Sequence, residues 1–309
     1  MYETDTYIPS ARMGSFLTAL EQETSKHTLI DTRNIDYDGE ERPPLYEQIQ
    51  LNSKANETFL IDGIRFYRGA NVKFILKVFP DWGGEGLKIY CPLAGKDFAN
   101  NLISDCWQWA KTHNFLKGEA FSLSGEFLPR GGESWSDVML EEKNQLPLQR
   151  CVKQVNEKQT ACANRGMILM GPPGTGKTLA GRIIKNEAQA SFIWISARDL
   201  HRSGAFGGFE YAFELAKEVA PAILFVEDID NFMDSYTIDL LKTQMDGIGR
   251  SSGIITILTT NFPERLPEAL IDRPGRFHAV LRIELPGTKE REPMLKKSLP
   301  ELTDAEIAQ

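Results

Sequence analysis

The strongest constraint on this chain is the run Gly171-Pro172-Pro173-Gly174-Thr175-Gly176-Lys177-Thr178. It satisfies G-x-x-x-x-G-K-[ST], with Gly171, Gly176, Lys177 and Thr178 at the fixed positions. The apolar run Met167-Ile168-Leu169-Met170 precedes it and reads as a buried strand, and a helix-forming run, Leu179 to Ala190, follows. A chance glycine-rich turn would not bring the strand, the spacing, the lysine and the threonine together. Glycines let such a loop fold back so that successive backbone N–H groups converge on phosphate oxygens. The next helix presents its positive dipole end to the same phosphates. Lys177 is placed to reach the β- and γ-phosphates, and the Thr178 hydroxyl to take a position on Mg²⁺.

A length of 309 residues suits two domains better than one. Hydrophobic content of 41% and charged content of 25% are ordinary for a soluble globular protein. No apolar run approaches the roughly 20 residues that span a bilayer. The start, MYETDTYIPS, is acidic and polar, unlike a secretory signal. A net charge of −8 argues against sequence-independent binding of nucleic acid. Cys91, Cys106, Cys151 and Cys162 form no C-x-x-C and do not cluster with the histidines, so free thiols in a reducing cytosol are expected rather than a metal site or disulfide.

Residues 1–57 read as a polar, irregular arm, broken by Pro43-Pro44. From 58 to about 130 a small α+β module is expected. Its strands are Phe59–Ile61, Ile64–Tyr67, Val72–Phe79 and Leu87–Cys91, separated by turns at Asp62-Gly63, Gly69–Asn71 and Gly83–Gly86. Phe98, Leu102, Ile103, Cys106, Trp107 and Ala110 recur at helical spacing. Aromatic residues such as Phe66, Tyr67, Phe74, Phe79, Trp82 and Trp107 read as filling a small core or, alternatively, as a ligand platform. Gly131-Gly132-Glu133-Ser134 reads as a linker.

Beyond it, Phe192–Ile195, Ala222–Val226 and Ile254–Leu258 are continuous apolar runs, as strands covered on both faces are. With Ala279–Ile283 and the intervening helical patterns they predict an α/β fold: an open parallel sheet with the phosphate loop at the carboxyl ends of its strands. Glu227 and Asp228 end one strand, where acids beside a phosphate loop can hold Mg²⁺ and orient a water. Asn261 ends the next. It either positions the attacking water or is a polar strand end facing solvent. Arg273 and Arg276, in Asp272-Arg273-Pro274-Gly275-Arg276-Phe277, make a rigid anion binder acting on a neighbouring subunit's nucleotide, or a surface salt bridge.

Taken together, residues 133–290 resemble an AAA ATPase of the AAA+ superfamily, the clade of the proteasomal, membrane-protease and Cdc48-like ATPases. The matching stretches are Arg165–Thr178, Ala220–Asp230, Gln244–Gly247, Gly253–Asn261 and Asp272–Phe277, in order. The resemblance implies ATP and Mg²⁺ as cofactors. It implies nucleotide binding by Gly171, Pro172, Pro173, Gly174, Thr175, Gly176, Lys177, Thr178 and Leu179 (Walker A), with Val138 and Met139 at the adenine. It further implies Glu227 and Asp228 as the Walker B acids, Glu227 and Thr178 on the metal through water, Asn261 as sensor 1, and Arg273 and Arg276 as arginine fingers. Asp246-Gly247 match a relay between subunits. Arginine fingers in trans imply a homo-oligomeric ring, usually of six subunits. A cytoplasmic ATP hydrolase is expected, remodelling a protein substrate or adaptor through the N-terminal module, or else an ATP-gated assembly switch with slow turnover. There are three departures from the family pattern. The acids stand as Glu-Asp rather than Asp-Glu, so slow hydrolysis is expected. His201-Arg202-Ser203, or with a shift Phe206-Gly207, replaces the pore loop of threading members. Thr303-x-x-Glu306 opens a lid helix with only six residues after Thr303, as in a truncated chain.

Overall fold

Strands that are buried on one face and strands that are buried on both give this chain two different kinds of sheet. The computed structural model describes residues 1–36, 38–157, 165–196, 208–232, 235–247, 253–267, 277–285 and 287. They divide into two compact units, Met1–Leu128 and Pro129–Gln309.

The first unit runs β1 (Tyr2–Pro9), α1 (Ser10–Thr24), β2 (Thr28–Ile35), β3 (Glu41–Arg42), β4 (Leu45–Asn52), β5 (Ala55–Arg68), β6 (Lys73–Asp81), β7 (Gly84–Cys91), α2 (Lys96–Thr112) and β8 (Ala120–Ser122). Its antiparallel sheet has the order β1-β7-β6-β5-β2-β3, with β4 paired to β5 off that path. Phe16, Leu17 and Leu20 of α1 and Leu102 and Cys106 of α2 close a core with Tyr67, Phe74, Leu76, Leu87 and Ile89 from the strands. Trp82 stands 86% exposed at a hairpin tip, while Tyr67 and Phe74 stack at 4.9 Å inside.

Residues 1–57 are therefore not an arm. They supply four strands and a helix. The polarity that suggested an arm has a physical explanation in β1. Tyr2, Thr4, Thr6 and Ile8 alternate with more exposed residues, and the inward polar groups are satisfied by α2. The Tyr2 hydroxyl donates to Asn100 at 3.0 Å and the Trp107 indole donates to Thr6 at 3.1 Å. Asp62-Gly63 is also not a turn, because β5 runs straight through it. Gly63 marks where β5 leaves β4 for β6 and β2. A Cβ there would lie 3.1 Å from the Arg33 carbonyl oxygen and 2.9 Å from a Leu60 methyl, so the glycine permits close backbone approach. The turn between β6 and β7 is only Trp82-Gly83, with Gly83 at φ 75°; Gly84 and Gly86 already belong to β7.

The second unit runs α3 (Glu142–Asn156), β9 (Arg165–Met170), α4 (Lys177–Glu187), β10 (Ser191–Ile195), α5 (Gly208–Glu218), β11 (Ala222–Val226), α6 (Ser235–Gly247), β12 (Ile254–Thr260) and β13 (Phe277–Arg282). The strands lie in the order β13-β9-β12-β11-β10, and every neighbouring pair is parallel. Every residue of β11 and β12 is buried, which is why they read as unbroken apolar runs. Parallel strands end on one edge. Register pairs Met170 with Thr260 and Val226 with Leu258. The phosphate loop, Glu227-Asp228 and Asn261 thus leave the sheet side by side.

Residues 131–134, expected as a linker, are held within the second unit. The Gly131 N–H donates to Asn186 Oδ1 at 2.8 Å, and Asn186 Nδ2 donates to the Glu133 carboxylate at 2.9 Å. Arg130 donates to the carbonyls of Lys185 and Ala188 at the end of α4. Glycine content suggested freedom here, but the helix end requires partners for its last carbonyls.

Candidate active site

The loop between β9 and α4 is built by its glycines. Gly174 and Gly176 take φ 82° and 92°, in the left-handed region that only glycine enters without strain. A Cβ on Gly171 would sit 1.9 Å from the Ile283 carbonyl oxygen. Lys177 begins α4 and is 6% exposed, with its ammonium donating to the carbonyls of Gly171 and Pro172, both at 2.7 Å. Burial holds its pKa below the usual lysine range, against the pull of Asp228 and Asp230.

The acids follow β11. Thr178 Oγ1 donates to Glu227 Oε1 at 2.6 Å, and Trp194 Nε1 donates to Glu227 Oε2 at 3.2 Å. Asp228 adopts φ 50°, unusual for a residue with a side chain. Its N–H donates to Thr259 Oγ1 at 2.9 Å, and its Oδ1 accepts from Asn261 Nδ2 at 2.9 Å. Burial foremost, then the charges of Glu227 and Asp230, raise the Asp228 pKa; Lys177 and Asn261 oppose this. The Asn261 N–H donates to Asp230 Oδ1 at 3.1 Å. Asn261 therefore faces the acids and not bulk water alone.

A cleft of about 490 Å³ is lined by Pro173, Gly174, Gly176, Lys177, Thr178, Leu179, Arg182, Asp228 and Asn261. Val138 meets the loop from behind: a Cβ on Gly176 would come within 2.9 Å of its methyl. Thr175 is buried and donates to the Pro172 carbonyl at 2.9 Å. Met139 is half-buried and does not line this cleft. Arg273 and Arg276, the alternative pore-loop positions 201–203 and 206–207, and Thr303 and Glu306 lie outside the described residues, as do the side chains of Asp246 and its neighbours.

Sequence reasoning assigned no role to Trp194, Asp230, Thr259 or Arg182. The first reads as core within an apolar strand. Asp230 and Thr259 adjoin motif residues, and only the fold turns them onto Asn261 and Asp228.

Residues 167–285 match the family model described as ATPase family associated with various cellular activities (AAA). The chain is 39% identical over 150 residues to the ATP-dependent zinc metalloprotease FtsH of Mesoplasma florum, covering 44% of this chain and 23% of that protein. It is 37% identical over 155 residues to the mitochondrial inner membrane i-AAA protease supercomplex subunit YME1 of Saccharomyces cerevisiae, covering 46% and 21%. To the proteasome-activating nucleotidase of Thermococcus onnurineus it is 36% identical over 198 residues, covering 56% and 49%. The chain thus spans between about a fifth and a half of the length of these relatives. With the phosphate loop, paired acids and strand-end asparagine gathered on one edge of a parallel sheet, residues 167–285 form a domain of the AAA ATPase family.

Proposed function

We propose that the chain binds ATP with Mg²⁺ and hydrolyses it as a subunit of a homo-oligomeric ring, using the energy to remodel a protein partner engaged by the first unit. The observation that carries this reading is the Asp228–Asn261 pair set in the same cleft as Lys177 and Thr178. The glycine-shaped loop offers backbone donors to the phosphates, and Lys177 supplies a partly desolvated positive charge. The donor set of the Thr178 hydroxyl and the Glu227 carboxylate, 2.6 Å apart, is all oxygen and suits Mg²⁺ held jointly with phosphates. That ion, when bound, neutralises charge on the transferring phosphoryl group.

Asn261 fixes Oδ1 of Asp228, leaving Oδ2 to face a water. As the water oxygen bonds to the γ-phosphorus and the bond to the bridging oxygen breaks, Asp228 takes the water's proton. Arg273 and Arg276 complete the site of a neighbouring subunit, by their likeness to arginine fingers. The free, buried thiols of Cys91 and Cys106 support a reducing, cytoplasmic setting. Among the described residues no helix is long and apolar enough to cross a membrane. The inverted acids and the φ of Asp228 favour a second reading, in which ATP-bound assembly is the signal and turnover only a slow timer.

Steady-state hydrolysis measured across protein concentrations tests both. Specific activity that rises with concentration, and is lost in Lys177→Ala, is expected. Tight ATP binding with no turnover at any concentration would select the switch.

A further inference from the structure

Glu227 is held more fully than a simple metal ligand needs to be. Its backbone N–H donates to the Ile195 carbonyl at 2.9 Å, fixing the strand end. One carboxylate oxygen accepts from Thr178 and the other from the indole of Trp194. Trp194 is not a loose surface group. It pairs in register with Phe225, their rings lie 4.7 Å apart at 44°, and Phe192 flanks it at 6.0 Å. Packing on two aromatic rings sets the plane of the indole, so its single N–H points in a fixed direction.

We propose that Trp194 is a positioning residue for Glu227: it holds one carboxylate oxygen so that the other is presented to Thr178 and the nucleotide-bound metal. This rests on the ATP–Mg²⁺ reading of the cleft. It also gives the order Glu-Asp a physical reason. A glutamate is one methylene longer than the aspartate usual at this position, and the added reach lets one carboxylate bridge the donor on α4 and the donor on β10. Without the indole, that extra rotatable bond would leave the carboxylate free to turn from Thr178. Fixing a ligand through its outer oxygen is the ordinary task of groups behind a metal site, where their loss lowers metal affinity about 10–100-fold.

The test uses the full chain and a fluorescent ATP analogue titrated with and without Mg²⁺. Trp194→Phe keeps the aromatic packing and removes only the donor. Its metal-free affinity for the analogue is expected to match the parent, while the Mg²⁺ concentration for half-maximal effect rises about tenfold. A general loosening of the fold would move both. In a Glu227→Asp background the shorter carboxylate does not span both donors, so adding Trp194→Phe is expected to change nothing further. An unchanged Mg²⁺ midpoint in Trp194→Phe, or losses that add fully in the double variant, overturns the proposal. A parent chain that binds the analogue with no Mg²⁺ dependence overturns it too, and one that binds no analogue at all removes the nucleotide reading beneath it.

Discussion

The backbone of Asp228 turns to φ 50° two residues past the end of a fully buried strand. Thr259 of β12 and Asn261, the residue after that strand, hold that turn through the N–H and the carboxylate. A side chain in such a conformation costs of order 1–3 kcal/mol, which the surroundings must supply. Replacing Asp228 by Asn keeps the shape and removes the base. Single-turnover hydrolysis is expected to fall about 10²–10⁴-fold with ATP binding retained. Because the carboxyl pKa is raised, the acid limb of the rate profile should lie above the ordinary aspartate range, and that limb should vanish in Asp228→Asn. Glu85, in the first unit, carries a separate pH signature. It is 7% exposed, and burial with the nearby charges of Glu47, Asp62 and Asp81 lifts its pKa from 4.5 to about 7. Between those values the folded chain binds more protons than the unfolded one, so this group's contribution is full below about 4.5 and is lost as pH rises to about 7. Glu85→Gln should flatten the dependence of the first unit's melting temperature on pH and raise it at pH values above that window, measured by thermal unfolding.

Helix α4 meets the sheet through Gly181, where an added Cβ would lie 2.4 Å from the ring of Phe225. Two effects oppose in Gly181→Ala. Alanine favours the helix by about 0.5–1 kcal/mol, whereas overpacking a close-packed contact costs about 1–3 kcal/mol. Phe225 is fully buried, so the clash should win: a lower denaturant midpoint and weaker ATP binding are expected together. The elements β9 to β12 were legible in the sequence because strands covered on both faces leave continuous apolar runs. Strands β1 to β4 were not, since much of their surface is exposed or hydrogen-bonded to helices and hydrophobicity carries little of their signal. Gly63 shows the same limit: in sequence it looks like a turn, and only pairing reveals a strand changing partners. Among site residues, Lys177, Thr178, Glu227, Asp228 and Asn261 were found because their chemistry lies in contiguous motifs. Trp194 was hidden because a ring that orients a carboxylate looks, in one dimension, like a ring that fills a core.

At the scale of the whole molecule, the proposed ring separates the lysine of one subunit from the arginines of the next. A Lys177→Ala chain keeps Arg273 and Arg276 but has no working loop of its own. An Arg273→Ala/Arg276→Ala chain keeps the loop and lacks the arginines. Each alone should be nearly inactive, since an arginine finger is worth about 10³–10⁵ in rate. Mixed, they should recover part of the parent activity; a mixture no more active than its components would count against completion in trans. Helix α4 has 11 residues, about 16 Å of rod. Its first turn carries Lys177 and Thr178, and its last turn is gripped by Arg130, Gly131 and Glu133. Such a rod would act as a lever with both handles attached: a displacement imposed at the nucleotide end would be carried to residues 130–133, which its last turn holds.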